Sequence, residues 1–595
     1  MHRKLPYGFY KAFFSFLNMK KILCILLSIS ACFPAFSQGK YITLFEKSGG
    51  KETPEYGAVI DYFQLLARDF KAVKIVEKGM TDAGYPLHVV LFDQQGDFDP
   101  AKWHKDKRPV LFVNNGIHPG EPDGIDASMM WLRDILLGKI KVPTDLAIAI
   151  IPVYNIGGHL NRGSFSRVNQ NGPEAYGFRA NARNYDLNRD FIKADTRNAQ
   201  SFQEIFAWLS PHIIVDTHVS NGADYQHVMT LISTQHNRLG GMPGKYLREE
   251  LDPMLYEKMK SKGFPMIPYV NAYGSKPEDG WNQFKDSGRY SSGFAALFGT
   301  LSFMPETHML KPYDQRVNST YALLEVFLDV LARDGQRIAD MVNADRKAKI
   351  NQVNFGLNHT IDRSEYREFE FLGYRSGQKT SEVSGLPRLY YDREQAFTAT
   401  IKFYDGYQET LTIQRPRAYL IPQGWFTVIE NLKRNGVRLE RLEKDTLLTV
   451  AAYHIADFQT AQRPFEGHYL HSQIKVTKST RAITFRKGDY LIPMNQEANR
   501  YIIEVLEPEG EDSFFAWNFF DTILQQKEGY SAYVFEDLAA SYLRENPSLQ
   551  KELEAERANN PEFAKNASAQ LRWVYERSPW KEKEHNLYPV FRLEY

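Results

Sequence analysis

His118-Pro119-Gly120-Glu121 sets an imidazole and a carboxylate three residues apart, the only H-x-x-E pair in a chain with 15 histidines. Alone it reads equally well as a solvated loop histidine and a helix-start glutamate beside a macrodipole. Asp216-Thr217-His218 changes its weight. A second neutral imidazole there completes a two-histidine, one-carboxylate set that suits Zn²⁺ and leaves a fourth position open to water, the form of catalytic rather than structural sites. Asp216 lies two residues before His218, so on a continuous strand both side chains share a face; it reads as a partner that orients the imidazole or as a buried charge. Glu306, in Met304-Pro305-Glu306-Thr307, is a carboxylate straight after an apolar run. Beside such an ion it would take a proton from water and deliver it to a leaving amine, the work of a general base. His308 reads as a structural or supporting residue.

A second dense stretch runs Arg179-Ala180-Asn181-Ala182-Arg183-Asn184-Tyr185-Asp186-Leu187-Asn188-Arg189-Asp190-Phe191. The planar fork of arginine binds carboxylates bidentately and stabilises a developing oxyanion. A site that removes the last residue of a peptide needs both. Arg183 taken alone reads as a surface salt-bridge residue.

These groups need elements to bring them together. Four nearly all-apolar runs, Pro109–Val113, Leu146–Ile151, Ile213–Val215 and Thr300–Phe303, have the texture of strands covered on both faces. Each ends in polar residues: His118 and Glu121, Asn155, His218 and Glu306 respectively. In open α/β sheets ligands bind outside the carboxyl ends of the strands, so this order predicts one polar edge. Apolar residues at helical spacing predict helices over Asp126–Leu137 and Thr320–Val342. The expected fold is α/β, a mixed, largely parallel central sheet with helices on both faces, followed by a β-rich accessory region and a helical tail. Alternating runs such as Phe397–Phe403 and Ile474–Val476 mark the β-rich part, and the tail covers about Glu536–Arg577. The aromatic cluster Phe514, Phe515, Trp517, Phe519 and Phe520 reads as core packing before it reads as a ligand platform.

At 595 residues the chain exceeds one hydrophobic core. The division expected is a signal peptide at 1–37, a catalytic domain at 38–345 and an accessory region at 346–595. Lys20-Lys21, the apolar run from Ile22 and the small-residue exit at Ala35-Phe36-Ser37 form the signal pattern, which predicts export to the periplasm, the cell surface or the medium. Ile29-Ser30-Ala31-Cys32 resembles a lipoprotein cleavage box, which would leave a lipid anchor on Cys32. Cys24 and Cys32 are the only cysteines, so a processed chain has no disulfide, thiol nucleophile or cysteine metal site. A net charge of +1, with no basic run, argues against nucleic acid as a partner. No later segment has transmembrane length.

The order H-x-x-E, R-x-N with D-L-N-R, a strand-ending histidine and a strand-ending glutamate resembles the zinc carboxypeptidases of the carboxypeptidase A type over roughly residues 41–333. Gly79–His88 is similar to the turn of that family's early hairpin. The resemblance implies that His118, Glu121 and His218 hold zinc and that Glu306 is the catalytic glutamate. It implies that Asn188 and Arg189 grip the substrate's terminal carboxylate and that Arg179 polarises the scissile carbonyl, with Arg167, in Arg167-Val168-Asn169, a competing match for that role. Tyr290 stands where the family has a mobile tyrosine. The activity implied is hydrolysis of the C-terminal peptide bond through a metal-activated water, on peptides with a free C-terminus. Two other readings stay open: an amidase or deacylase acting on cell-wall peptides or acylated amino acids, and a non-catalytic surface binding protein.

Overall fold

The computed structural model describes residues 39–272 and 276–595. The expected signal peptide and Cys32 lie outside the described residues. Among these residues, no helix is long and apolar enough to cross a membrane.

The chain divides into two compact units, the first comprising residues 39–345 of the described chain with Ile361–Gln408, the second Arg346–Thr360 with Glu409–Tyr595. The first is built on a mixed sheet. Its strands include β1 (Val73–Met80), β2 (Pro86–Phe92), β3 (Val110–Asn114), β4 (Ala147–Ile151), β5 (Ile213–Asp216), β6 (His218–Ser220), β7 (Met229–Ser233) and β8 (Ile267–Pro268). A short β9 (Trp281–Asn282) lies outside this sheet, and β10 (Leu301–His308) returns to it. The order is β1-β2-β4-β3-β5-β10-β7-β8, with β6 paired to β10. Strands β4, β3, β5 and β10 run parallel, so their carboxyl ends share one edge. β1 and β2 form an antiparallel hairpin through the Gly79–His88 turn.

Residues of β3, β4 and β5 are fully buried, which is why these segments read as unbroken apolar runs. Alternation still assigns their faces. Leu111, Val113, Ile148, Ile150, Ile213 and Val215 pack with helices Tyr56–Asp69, Asp123–Leu136 and Tyr313–Asn351. Phe112 points the other way and meets Phe202 of helix Arg197–Leu209 at 5.7 Å. Phe206 then meets Phe294 of helix Ser291–Leu297 at 5.3 Å. Both layers are thus fixed by period-two side-chain direction, and truncating Phe112 to alanine would cost about 3–5 kcal/mol.

The long hairpin Arg367–Thr380 and Pro387–Tyr404 clusters with the first unit, whereas the expected division assigned it to the accessory region at 346–595. Phe371, Ile401 and Phe403 form a small core with Tyr225, Ile267 and Trp281, and Phe403 pairs with Trp281 of β9. The second unit carries a six-stranded sheet that includes the long strands Thr446–Thr460 and His471–Phe485, with a core of Leu420, Val450, Ala452, Phe485 and Phe591. Its tail forms four helices between Ala532 and Glu576 around Phe535, Leu553, Leu571, Val574 and Tyr575. Phe514, Phe515, Trp517 and Phe520 are fully buried, so the aromatic cluster is core.

Candidate metal centre and substrate cleft

The loop after β3 turns tightly, with the Glu121 N–H donating to the His118 carbonyl at 2.8 Å, and returns both side chains to the sheet edge. Asn155, just past β4, holds two loops at once: its amide donates to the carbonyls of Ile117 at 3.2 Å and Arg179 at 3.0 Å. The line of β5 breaks at Thr217 and resumes as β6, which starts at His218 and pairs it with Glu306 of β10. Three distant segments therefore meet because parallel strands deliver them to the same edge.

His118, Glu121 and His218 are buried, and one ligand atom from each lies within 4.8 Å of the others. The hydrogen bonds around them select which atoms face inward. His118 Nε2 lies 2.9 Å from Asp186 Oδ1, and His218 Nε2 lies 3.1 Å from Asp216 Oδ2. With Nε2–H donating to a carboxylate, each ring carries its lone pair on Nδ1. Those two nitrogens sit 3.2 Å from Glu121 Oε1 and Oε2 respectively. His118 Nδ1 makes no hydrogen bond there. Two imidazole lone pairs and one carboxylate turned toward a common point are a donor set that zinc fits.

The charges point the same way. Burial opposes ionisation of Glu121, yet Arg167 and the two imidazoles hold it well below the usual carboxylate range. Burial also opposes a charge on His218, but Asp216, Glu121 and Glu306 together favour the protonated ring. An anionic shell that favours a proton on a ligand favours a metal cation for the same reason. Glu306 is raised, chiefly by burial and then by the carboxylates of Glu121 and Asp216, against the pull of His218 and Arg179. Asp186 is half-buried, which opposes its charge, but His118, Arg179 and Arg189 keep it ionised far below its ordinary value.

A cavity of about 260 Å³ opens over this centre and is lined by His118, Glu121, His218, Glu306, Arg179, Asn188, Arg189 and Tyr290. Arg179 is 45% exposed, and its Nε and Nη2 grip Asp186 Oδ2 at 3.0 and 2.9 Å. Asn188 and Arg189 lie on a single 3-10 turn that Asp186 caps by accepting the Asn188 N–H at 2.9 Å. Asp190 anchors the chain beyond, accepting from Lys193 at 2.6 Å and from the Thr196 hydroxyl at 2.6 Å. Tyr290 stacks its ring 4.6 Å from the Arg189 guanidinium.

Three other residues flagged by their sequence context stand apart. Arg167 is absent from the cavity lining and instead reaches Glu121 Oε1 at 2.6 Å. His308 is buried against Tyr225 and bonds the Ala223 carbonyl at 2.9 Å, a structural position. Arg183 lies exposed, 4.0 Å from Asp82. Sequence reasoning left Asp186 without a role, although it stands at the head of D-L-N-R; its partner His118 is 68 residues away. It also missed Ser291, whose hydroxyl donates to Asp216 Oδ2 at 2.5 Å, and the cleft residues Tyr269, Asn271 and Phe284, which no spacing marks.

A family model described as zinc carboxypeptidase matches residues 59–225, a span that contains His118, Glu121, Arg179, Asn188, Arg189 and His218 and ends before Glu306. Carboxypeptidase 2 of Trichophyton tonsurans is 23% identical over 421 residues, covering 68% of this chain and 72% of the relative. Carboxypeptidase 2 of Trichophyton rubrum is 23% identical over 420 residues, with the same coverage. Among solved structures, carboxypeptidase A from Helicoverpa armigera is 15% identical with a TM-score of 0.37, covering 49% of this chain and 75% of that one. A metallo-carboxypeptidase from Pseudomonas aeruginosa is 14% identical with a TM-score of 0.35, covering 47% and 69%.

Proposed function

We propose that this chain, whose residues 59–225 match the zinc carboxypeptidase family model, is a zinc-dependent enzyme removing C-terminal residues from peptides with a free carboxylate. The observation that carries this reading is the convergence of the His118, Glu121 and His218 donor set with Glu306 and three substrate-facing polar groups on one cavity. Zinc, when bound by these three residues, supplies Lewis acidity toward a carbonyl oxygen and makes water more acidic.

The chain's own residues do the rest. Asn188 and Arg189 bind the terminal carboxylate, the arginine through its paired N–H groups, with its plane backed by Tyr290. Arg179, held by Asp186 yet open to the cleft, donates to the scissile carbonyl oxygen as negative charge develops there. Glu306 accepts a proton from the attacking water as the new C–O bond forms and returns it to the nitrogen as the C–N bond breaks. Burial that raises the Glu306 carboxyl suits it to hold that proton between the two steps. We place the enzyme outside the cytoplasm, on the Lys20-Lys21 and apolar pattern of its N-terminus.

The test is a peptide assay with free and amidated C-termini, with and without chelator. Cleavage of the free peptide only, abolished by chelator and restored by zinc, is the expected result. Equal cleavage of both peptides would favour the amidase or deacylase reading and remove Asn188 and Arg189 from carboxylate binding.

A further inference from the structure

Loop 163–177 runs beneath the His118–Glu121 turn, and its contacts converge on a single side chain. Arg167 Nη2 lies 2.6 Å from Glu121 Oε1, with 13% of the arginine side chain exposed and 3% of the glutamate. The Val219 N–H takes the other oxygen, Oε2, at 2.9 Å. Both oxygens of the carboxylate are therefore tied, one to a strand and one to a guanidinium, so its plane is set before any ion arrives.

Arg167 is itself built in. Its Nη1 donates to Gln170 Oε1 at 3.2 Å, and Gln170 Nε2 donates back to the Gly120 carbonyl at 2.7 Å. Its backbone N–H donates to the Tyr176 hydroxyl at 3.1 Å, and the Gly177 N–H reaches the Pro119 carbonyl at 3.1 Å. The arginine passes over residue 120 so closely that a Cβ there would stand 2.2 Å from Arg167 Nε and 2.7 Å from its Cδ. Gly120, the one position in the H-x-x-E turn without a side chain, is the seat of the guanidinium.

We propose that Arg167 is a positioning residue for the metal ligand Glu121, seated by Gly120, and not a group that touches substrate. This rests on the zinc site of the proposed function. It separates Arg167 from Arg179, the two arginines that sequence spacing could not rank. A planar fork fits the task because it fixes the carboxylate's orientation, which a point charge does not.

The experiment is zinc affinity of the full chain, measured by competition with a chromophoric chelator in the absence of peptide, for the parent, R167Q, R167K, G120A and the double variant G120A/R167Q. The expected result is zinc binding weakened roughly 10–100-fold in R167Q, the usual cost of losing an outer partner of a metal ligand. R167K should recover only part of it, and G120A should resemble R167Q because its methyl unseats the arginine. The double variant should be no worse than either single change, since both break one contact. Unchanged or tighter zinc binding in R167Q overturns the proposal, as does a loss of turnover with zinc affinity intact, which would make Arg167 a substrate group. Fully additive losses in the double variant overturn the role of Gly120. If R167Q does not fold, R167K decides: affinity equal to the parent overturns the proposal. A parent chain that binds no zinc defeats the function reading instead, so the two failures are distinct.

Discussion

In the second unit, buried charge meets buried charge and stops there. Arg592 donates to Glu507 and, through Nε, to Glu594 at 3.1 Å, while the Tyr419 hydroxyl closes on the same Glu507. Asn431, Asn435 and Tyr501 likewise satisfy one another, with the Tyr501 hydroxyl donating to Asn431 Oδ1 at 2.8 Å and Asn435 donating to Tyr501 at 2.9 Å. At the candidate metal centre of the first unit the polar groups are arranged outward in. Asp186 and Asp216 take one nitrogen of each imidazole, and the remaining nitrogens face Glu121 at the floor of a cavity. Burial of charge alone therefore does not mark a site. What marks it is a set of donor atoms whose neighbours have turned them toward one another.

The sharpest way to break this contrast is to change one carboxylate in each unit. Glu306→Gln keeps the shape of the cleft and removes its proton acceptor, so turnover should fall by roughly 10²–10⁴-fold while zinc content by metal analysis stays at the parent level. Retained turnover would take Glu306 out of the mechanism. Glu507→Gln should do the reverse. It leaves the buried Arg592 with only the partly exposed Glu594 as counter-ion and should cost at most about 3–5 kcal/mol in urea unfolding, with kcat/KM of the folded enzyme unchanged. If stability held and activity fell, the second unit would have a part in catalysis that its self-satisfied polar groups do not show.

The same contrast explains what could be read from the chain. Strands β3, β4, β5 and β10 were legible because their central stretches are apolar on both faces, and His118, Glu121, His218 and Glu306 were legible because they come soon after those apolar runs, Glu306 while still within β10. Asp186 was visible as a letter but not as a partner, since nothing local states that a 3-10 cap at residue 186 will lie beside residue 118. The Arg167 contact depends on the path of an irregular loop, which carries no periodicity. Alternation identified Phe397–Phe403 as strand but could not say which core it would join; Trp281 and Tyr225 decided that. The helix expected to end at Val342 runs from Tyr313 to Asn351, because residues after Val342 have good helix propensity without a clear apolar stripe.

The smallest expected effect concerns acid. His159, His227 and His308 of the first unit are buried, and burial lowers their imidazoles to about 3, about 4 and about 4. Only His159 lacks a partner at both ring nitrogens, with Arg162 adding to the effect of burial. Its folded value lies below the unfolded one of about 6.5, so below that pH the unfolded chain binds a proton the native chain refuses. Its stabilising contribution is complete above about pH 6.5 and is lost progressively as pH falls toward its folded value. Between pH 7.5 and 5.5 this single ring accounts for about 1.4 kcal/mol of lost stability. His159→Leu removes the titrating group without leaving a polar atom unpaired. Unfolding free energies of the first unit, followed over that pH range, should therefore fall less steeply in the variant by about that amount, and an identical slope would mean that His159 does not stay neutral in the fold.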